Sequence, residues 1–209
     1  MDELAKCGKI DFTEFFMPDA LPAFCTGCTL CLSGLYEKCP NAQHTIPILD
    51  EIIKSDALIF ATPHYGACSM PGSMKNFLDH FDYLVLNVSP RAEMFDKKAF
   101  VITTGAGSAA AIKPIKTVLK HWGVNRVMSL GLRMFTNLWK KMPQSKQEKC
   151  EKSLRHSARK FYKTRKGRPY LFTIFFYHIS KFIIKRYVGE GNFAYENWKE
   201  KGYFNKRPF

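Results

Sequence analysis

Apolar runs and amphipathic stretches alternate along the first two thirds of the chain. Four runs have the length and the aromatic or branched content that strands favour, and they lie at 9–18, 57–63, 98–107 and 125–135. Apolar residues at helical spacing predict helices at 45–56, 69–85 and 109–122, and a polar helix is predicted at 145–163. This alternation predicts an α/β fold in which helices cover both faces of a parallel sheet.

Two loops leave predicted strands at the edge where such sheets bind ligands. The run ALIFATP at 57–63 is apolar throughout, which predicts a strand buried on both faces, and it leads into HYGACSMPG. The run KAFVITTGAG at 98–107 is read as a buried strand that runs into a turn with two glycines. In doubly wound sheets, ligands bind at the carboxyl ends of the strands, where the winding reverses. We therefore expect a cofactor between these two loops.

A cysteine-rich segment precedes the first predicted helix and reads CTGCTLCLSGLYEKCP. Its thiols have the spacing C-x2-C-x2-C-x7-C and belong to Cys25, Cys28, Cys31 and Cys39. This spacing suits a [4Fe–4S] cluster, and a proline after the last cysteine is typical of ferredoxin-type runs. Zinc is an alternative, although structural zinc sites usually pair two separated C-x2-C knuckles. A second alternative is a row of reduced, small hydrophobic cysteines without metal.

Length and composition allow one good-sized domain with a core of its own, or one domain plus an appendage, since the chain has 209 residues of which 46% are hydrophobic. No basic and apolar leader follows Met1, so we expect a cytoplasmic protein. Thiols stay reduced in that compartment, and the odd, unevenly spread set of seven cysteines is a poor disulfide framework.

The net charge of +14 is concentrated in the last third of the chain. Residues 1–139 hold 13 Lys and Arg and 13 Asp and Glu, whereas residues 140–209 hold 19 Lys and Arg against five Asp and Glu. Such asymmetry favours an anionic partner, either a membrane leaflet or a nucleic acid, or else a solvated basic face. Nucleic-acid binding is not expected, because no recognised binding motif is present.

The segment YLFTIFFYHISKFIIKRY at 170–187 predicts an amphipathic helix with an aromatic face and a basic stripe. It is too short and too charged to span a bilayer. It could lie in a membrane interface, with its aromatic face in the acyl boundary and its lysines at anionic headgroups. The alternative is a helix packed on the domain or on a dimer partner. The aromatic-rich stretch at 192–209 is expected to dock on the protein.

Three stretches together resemble one family. They are the cysteine run at 25–39, the loop and helix ATPHYG…SMKNFLD at 61–79, and the turn TTGAG at 103–107. Over about residues 9–140 the chain is similar to the flavodoxin-like NAD(P)H-dependent FMN reductases, and within them to the iron–sulfur flavoproteins. The resemblance implies a doubly wound, three-layer αβα fold, an FMN, a [4Fe–4S] cluster on the four cysteines, and a homo-oligomer such as a dimer.

The resemblance also implies which loops hold the flavin. On one side of the ring these residues are Thr62, Pro63, His64, Tyr65 and Gly66, and at its other edge they are Thr103, Thr104, Gly105 and Gly107. Glycines let backbone N–H groups approach a ring closely, and the two aromatic side chains offer flat faces for stacking. Alternatively, the tyrosine is merely half-buried and the histidine is a hydrogen-bonded loop residue. No catalytic acid or base is assigned, because the flavin carries the chemistry.

One part of the family pattern has no counterpart here. The sequence opens where the helix after the first strand should be ending, so we expect the sheet order 2-1-3-4-5 to lack its middle strand and the phosphate loop. A start site placed too far downstream, a variant completed by another chain and a degenerate relative each explain this. We assign 1–140 to the flavodoxin-like domain and 141–209 to a basic helical extension.

The expected function is redox chemistry, namely an FMN-dependent oxidoreductase or electron carrier that passes electrons between FMN and the cluster. A flavin exchanges electrons in ones or twos and a cubane one at a time, so the pair links two kinds of redox partner. The alternative is a non-enzymatic flavodoxin-like remnant that acts at a membrane surface or as a protein-interaction module.

Overall fold

The structure is a computed structural model, and it describes residues 1–65, 69–105, 107–134, 136, 138–165 and 167–209. Within these ranges, one parallel sheet has the order β1-β2-β3 and consists of β1 (Ala57–Pro63), β2 (Lys98–Thr104) and β3 (Arg126–Leu132). The α-helices of the same ranges are α1 (Asp2–Ala5), α2 (Ala42–Lys54), α3 (Gly72–His80), α4 (Ala92–Phe95), α5 (Ser108–His121), α6 (Gln144–Lys163), α7 (Leu171–Ile183) and α8 (Phe193–Glu200).

The predicted alternation of strands and helices is confirmed. β1 coincides with the strand predicted at 57–63, β2 ends where the predicted glycine turn of the 98–107 run begins, and β3 ends three residues before the predicted end. The helices predicted at 45–56, 69–85, 109–122 and 145–163 correspond to α2, α3, α5 and α6. α7 begins one residue after the predicted 170–187 helix and continues into a π-helical turn at Ile184–Val188.

The strand predicted at 9–18 does not form, and that prediction is wrong. The segment joins no ladder of the sheet, and residues 11–16 are all exposed. Its spacing of apolar residues suits a strand, but a strand also needs a neighbour that pairs its N–H and C=O groups. The segment is held instead by a side-chain hydrogen bond of 2.8 Å from Thr13 Oγ1 to Glu51 Oε2 of α2.

Helices cover the sheet on both faces and produce the predicted three layers. On one face α2, α3 and α5 pack over strand residues such as Leu58 and Val101. On the other face α1 and α6 pack over β2, where Leu4, Phe100 and Phe161 share one cluster. The Phe100 and Phe161 rings stack with centroids 5.4 Å apart. Burial of each such ring contributes about 1.5–3 kcal/mol, which holds α6 against the sheet.

β1 is covered on one face only, so the expectation that 57–63 is buried on both faces is wrong. Its alternate positions Ile59, Ala61 and Pro63 are exposed, while the residues between them are buried. α6 packs over the central strand β2, in which Phe100 and Val101 are both buried, and β1 lies at the edge of the described sheet. A continuous apolar run does not distinguish a central strand from one at an edge.

The aromatic C-terminal stretch docks on the body of the protein, as predicted. Trp198 of α8 is fully buried, and its indole N–H donates to the Leu86 carbonyl at 3.1 Å. Tyr177 of α7 stacks on Trp198 with ring centroids 5.2 Å apart. Lys201 Nζ donates to the Pro90 carbonyl at 2.9 Å. α7 and α8 therefore share an aromatic cluster that is anchored to the segment before α4.

Two neighbouring lysines at the start of β2 each cap one helix. Lys97 Nζ donates to the carbonyls of Ile53 and Ser55 at the end of α2. Lys98 Nζ donates to the carbonyls of Phe161 (2.9 Å), Tyr162 (2.9 Å) and Thr164 (3.1 Å) at the end of α6. The last carbonyls of a helix have no partner within it, and a cation there also suits the helix dipole. Successive side chains point to opposite faces, so the pair fixes a helix on each side of the sheet.

Substitution of Lys98 tests this capping. In Lys98→Met the carbonyls at the end of α6 lose their donor, and we expect the free energy of unfolding to fall by about 1.5–3 kcal/mol. The matched control is Lys54→Met, since Lys54 forms an exposed ion pair with Glu51, and a change within about 0.5 kcal/mol is expected there. Urea unfolding followed by circular dichroism measures both, and equal effects would contradict the capping role.

Candidate functional site

The four cysteines of the 25–39 run line one cavity of about 160 Å³. Cys25 and Cys28 are exposed, and Cys31 and Cys39 are half-buried. The loop around them turns through left-handed backbone at Gly27 (φ +66°) and Thr29 (φ +60°), and short 3-10 turns follow at Leu30–Ser33 and Tyr36–Lys38. The remaining wall consists of Thr26, Leu32, Tyr36, Asn41, Thr45, Asp79, His80, Asp82 and Tyr83.

The inner part of the cavity disfavours uncompensated negative charge. Burial raises the pKa of the Cys31 thiol, and the neighbouring Cys25 and Cys28 thiolates raise it as well. Burial also raises the pKa of the Tyr83 hydroxyl, whose ring stacks on Tyr36 with centroids 5.8 Å apart. Loss of the proton from the half-buried Cys31 thiol is therefore disfavoured unless a positive charge compensates the thiolate.

The cavity lining contains seven side chains of types that bind metals, namely four Cys, one His and two Asp. Among the described residues, no group of three or more Cys, His, Asp or Glu side chains is placed to hold a metal ion. The volume of about 160 Å³ is several times the roughly 30 Å³ that one water occupies, so the cavity can take a group of several atoms.

A buried amide on α3 fixes the start of the cysteine loop. Asn76 Oδ1 accepts a hydrogen bond of 3.0 Å from the Cys25 backbone N–H, and Asn76 Nδ2 donates to the carbonyls of Ala23 (3.0 Å) and Leu21 (3.4 Å). The side chain of Asn76 is almost completely buried. One amide thus satisfies three backbone groups of the segment that leads into the first cysteine.

A second buried amide fixes the end of the same loop. Asn41 Nδ2 donates to the Phe24 carbonyl at 3.3 Å and to His80 Nε2 at 3.0 Å, while the Asn41 backbone N–H donates to Cys39 Sγ at 3.4 Å. Since His80 accepts at Nε2, its proton lies on Nδ1, which donates to the Asn76 carbonyl at 3.0 Å. Both ring nitrogens are engaged, so His80 supports the loop and is not a free ligand.

The loops after β1 and β2 meet at the carboxyl edge of the sheet. The His64 N–H donates to the Thr104 carbonyl at 2.7 Å, and the Gly105 N–H donates to the Leu132 carbonyl at 3.0 Å. Gly105 has φ +127°, a conformation that favours glycine. A Cβ atom on Gly107 would meet the imidazole of His64 at 2.6 Å, so the histidine packs directly on that glycine. The two loops form one continuous edge, which we call the lip and which includes His64, Tyr65, Gly105 and Gly107.

The predicted flavin residues divide into a buried and an exposed set. Thr62 and Thr103 are paired neighbours inside the sheet and are buried. Pro63 is exposed, and the Tyr65 ring is 60% exposed at the lip. Thr104 and Gly107 are half-buried beside it, as is His64. The predicted residue Gly66 and its neighbour Cys68 lie outside the described residues.

α3 connects the lip to the cysteine cavity. Just before the helix, Ser69 Oγ donates to the Ala110 carbonyl of α5 at 2.7 Å, which ties the first loop to the second. Asn76 and His80, in the second half of the helix, hold the cysteine loop. From Gly72 to His80 the helix is about 12 Å long, so one short rigid element positions both places.

A family model described as NADPH-dependent FMN reductase matches residues 1–136. The chain belongs to the NADPH-dependent FMN reductase family. Its parallel sheet, covered by helices on both faces, is consistent with a flavodoxin-like fold. As a member of this family the protein is an FMN-dependent oxidoreductase of the FMN reductase type.

Two individual proteins are similar to this FMN reductase family member. An iron–sulfur flavoprotein of Clostridioides difficile strain 630 is 26% identical over 204 residues, which cover 93% of this chain and 84% of the relative. The solved structure of the Trp repressor binding protein from Bacillus subtilis is 19% identical. The structural match covers 57% of this chain and 70% of the B. subtilis chain, with a TM-score of 0.41.

The lip fits one side of the flavin that the family uses. Gly105 and Gly107 bring the second loop within contact of His64, which leaves peptide groups and the exposed Tyr65 ring along one edge. A flat aromatic face and closely approaching backbone suit a planar ring system. Thr62 and Thr103 would support the loops from below, since their buried side chains hydrogen-bond to neighbouring backbone carbonyls.

Sequence reasoning missed Asn41, Asn76 and His80, which position the cysteines. A partial signal existed, because Asn76 interrupts the apolar side of the helix within the MKNFLD motif. Sequence reasoning also missed that Phe193 of α8 packs on Gly34, where a Cβ atom would collide with its ring. Gly34 has φ +78°, so both its conformation and its contact require glycine. The C-terminal extension thereby touches the cysteine segment.

Substitution of Asn76 tests its role. In Asn76→Ala the backbone groups of Leu21, Ala23 and Cys25 lose a buried partner, and we expect a loss of about 2–3 kcal/mol in the free energy of unfolding. Limited proteolysis between residues 19 and 30 should become faster. The control is Lys75→Ala on the exposed side of the same helix, with a change within about 0.5 kcal/mol. Unchanged proteolysis in Asn76→Ala would contradict the role.

Proposed function

We propose that the protein is an FMN-dependent oxidoreductase that passes electrons between FMN at the lip and a [4Fe–4S] cluster held by Cys25, Cys28, Cys31 and Cys39. The observation that carries the proposal is that all four thiols of the run line one cavity. The name of the C. difficile relative, an iron–sulfur flavoprotein, supports the same assignment.

The donors of the cavity favour a cluster over a single zinc ion. Three of the thiols recur along the chain as C-x2-C-x2-C, whereas structural zinc sites usually pair two separated C-x2-C knuckles. His80 is occupied by Asn41 and by the Asn76 carbonyl, and Asp79 pairs with Lys75. Asp82 also lines the cavity, but iron–sulfur clusters are held by cysteine thiolates, so the four thiols are the donors that a cluster would use.

The residues that would hold the cluster differ in exposure. Cys25 and Cys28 lie at the open side of the cavity, and Cys31 and Cys39 lie deeper, near Tyr36 and Tyr83. The Asn41 N–H that points at Cys39 Sγ would stabilise the thiolate form of that ligand. Such hydrogen bonds to sulfur also tune the reduction potential of a cluster.

The chain's own residues would position the two redox groups relative to each other. Pro63 and Tyr65 on one loop and Gly105 and Gly107 on the other would hold the flavin ring at the carboxyl edge of the sheet. α3 follows Ser69, which is tied to α5, and holds the cysteine loop through Asn76 and His80, so one helix links both places. When bound, the flavin supplies exchange of one or two electrons and the cluster supplies exchange of one.

The proposal is tested by anaerobic purification and cofactor analysis. We expect flavin absorption bands over a broad cluster absorption that dithionite bleaches, with about four iron atoms per chain. Cys28→Ser and Cys31→Ser should lose most of the iron while they retain FMN. The matched control is Cys150→Ser, since Cys150 lies on α6 away from the cavity, and it should keep both cofactors.

Two results would contradict parts of the proposal and are distinguishable. An iron-free protein that binds FMN and oxidises NAD(P)H would remove the cluster and leave the family activity. A protein that carries one zinc ion on the four cysteines would replace the redox role of the cavity by a structural one. Iron, zinc and flavin content, measured on the same sample, separates these outcomes.

A further inference from the structure

α7 turns its apolar face towards solvent. The exposed residues of this helix and of the turn that follows include Leu171 (85% exposed), Phe175 (64%), Phe182 (61%) and Tyr187 (72%). Along the helix, Leu171, Phe175, Ile179 and Phe182 recur at intervals of three and four residues and so share one face. The aromatic face that the sequence predicts therefore exists. Phe172 and Phe176 pack beside His121 of α5, whereas the side that carries Phe175 and Phe182 is largely uncovered by the described residues.

The opposite face of α7, which contacts the protein, is the more polar one. It presents Thr173, Tyr177, Ser180 and Ile184, at intervals of three and four residues. The hydroxyls of Thr173 and Ser180 have no hydrogen-bond partner among the described residues. A helix of a soluble globular protein normally does the reverse and directs its apolar stripe inwards. This inversion indicates that the outer face of α7 is built to meet another apolar medium.

The charged residues around this face indicate which apolar medium it contacts. From Lys152 to Gly189 the chain contains 11 Lys and Arg and no Asp or Glu. Lys185 and Arg186 follow α7 directly and are exposed, and Arg165 and Arg168 precede it and are exposed as well. Exposed aromatic residues flanked by cations are the composition of helices that lie in the headgroup region of an anionic bilayer.

We propose that the protein binds the surface of an anionic lipid bilayer through α7, with Phe175 and Phe182 in the acyl boundary and the flanking cations at the headgroups. No helix in the described ranges is long and apolar enough to cross a membrane, and the contact is therefore peripheral. The C-terminal aromatic cluster anchors α7 to the flavin domain through Tyr177 and Trp198. Binding would thus hold the oxidoreductase at the membrane surface.

A lipid surface fits this face better than a second copy of the chain. In a two-fold pairing the same surface meets itself, so the cations beside α7 would approach their own counterparts. The sequence has no carboxylate between residues 152 and 189, and Glu190, which follows, already pairs with Lys199 at 3.6 Å. Anionic headgroups pair with each cation separately, and each Lys or Arg close to the surface increases the affinity for the bilayer about fivefold.

Vesicle flotation tests the proposal with the full chain. We use vesicles of phosphatidylcholine alone and of phosphatidylcholine mixed with phosphatidylserine, at about 0.1 M and about 1 M salt, where the Debye length falls from about 10 Å to about 3 Å. The wild type should float with the mixed vesicles at low salt and largely dissociate at high salt. Arg186→Gln should weaken low-salt binding by about fivefold.

A double variant separates the contribution of the aromatic residues to vesicle binding from nonspecific adsorption. Phe175→Ser combined with Phe182→Ser should lower binding to the mixed vesicles by about tenfold or more. Phe16→Ser is the matched control, because Phe16 is 70% exposed but lies in the segment held by α2, and it should bind as the wild type does. Both Phe residues of the double variant are exposed, so circular dichroism should be unchanged.

Three results would overturn the proposal. The first is no flotation of the wild type with phosphatidylserine vesicles. The second is equal binding to vesicles of phosphatidylcholine alone. The third is a wild type that stays free of lipid but self-associates in sedimentation, with the double variant monomeric, because this would assign the face to contacts between copies. None of these readouts depends on FMN or iron, so their failure leaves the redox assignment untouched.

Discussion

The hydrogen bonds of Asn76 are the constraint on which the cysteine site depends. A loop with left-handed residues at Gly27 and Thr29 cannot satisfy its backbone groups by regular structure. Asn76 supplies partners for Leu21, Ala23 and Cys25 from a buried position on α3. Because the same helix starts at the lip of the sheet, its placement also fixes where the thiols lie relative to the proposed flavin site. Burial makes these bonds costly to lose, which keeps the site rigid.

The sheet domain and the C-terminal extension support this arrangement from two sides. Lys97 and Lys98 fix a helix on each face of β2, and α6 closes the second face through Phe161. The extension then returns to the cysteine segment, where Phe193 packs on Gly34. The proposed membrane contact of α7 and the proposed electron transfer at the cysteines would therefore take place on one connected body. Trp198 makes this connection through its hydrogen bond to the Leu86 carbonyl.

Local patterns predicted much of the fold, and non-local contacts account for what they missed. β2 and β3 were predictable because long apolar runs bounded by turns suit strands of a covered sheet. The strand at 9–18 was mispredicted because apolar spacing gives no information about a pairing neighbour. The four cysteines were visible as a motif, whereas the bond from Asn41 to His80 joins residues 39 positions apart. The inverted orientation of α7 depends on Trp198 and its cluster, which the amphipathic pattern of the helix does not encode.

The central claim is that the cysteine cavity holds iron next to the flavin loops. Anomalous diffraction from anaerobically grown crystals, recorded on both sides of the iron and zinc absorption edges, tests it most directly. The account predicts a compact iron signal in the cavity, within bonding distance of the sulfurs of Cys25, Cys28, Cys31 and Cys39. A signal that appears only at the zinc edge, or iron located away from these sulfurs, would contradict it.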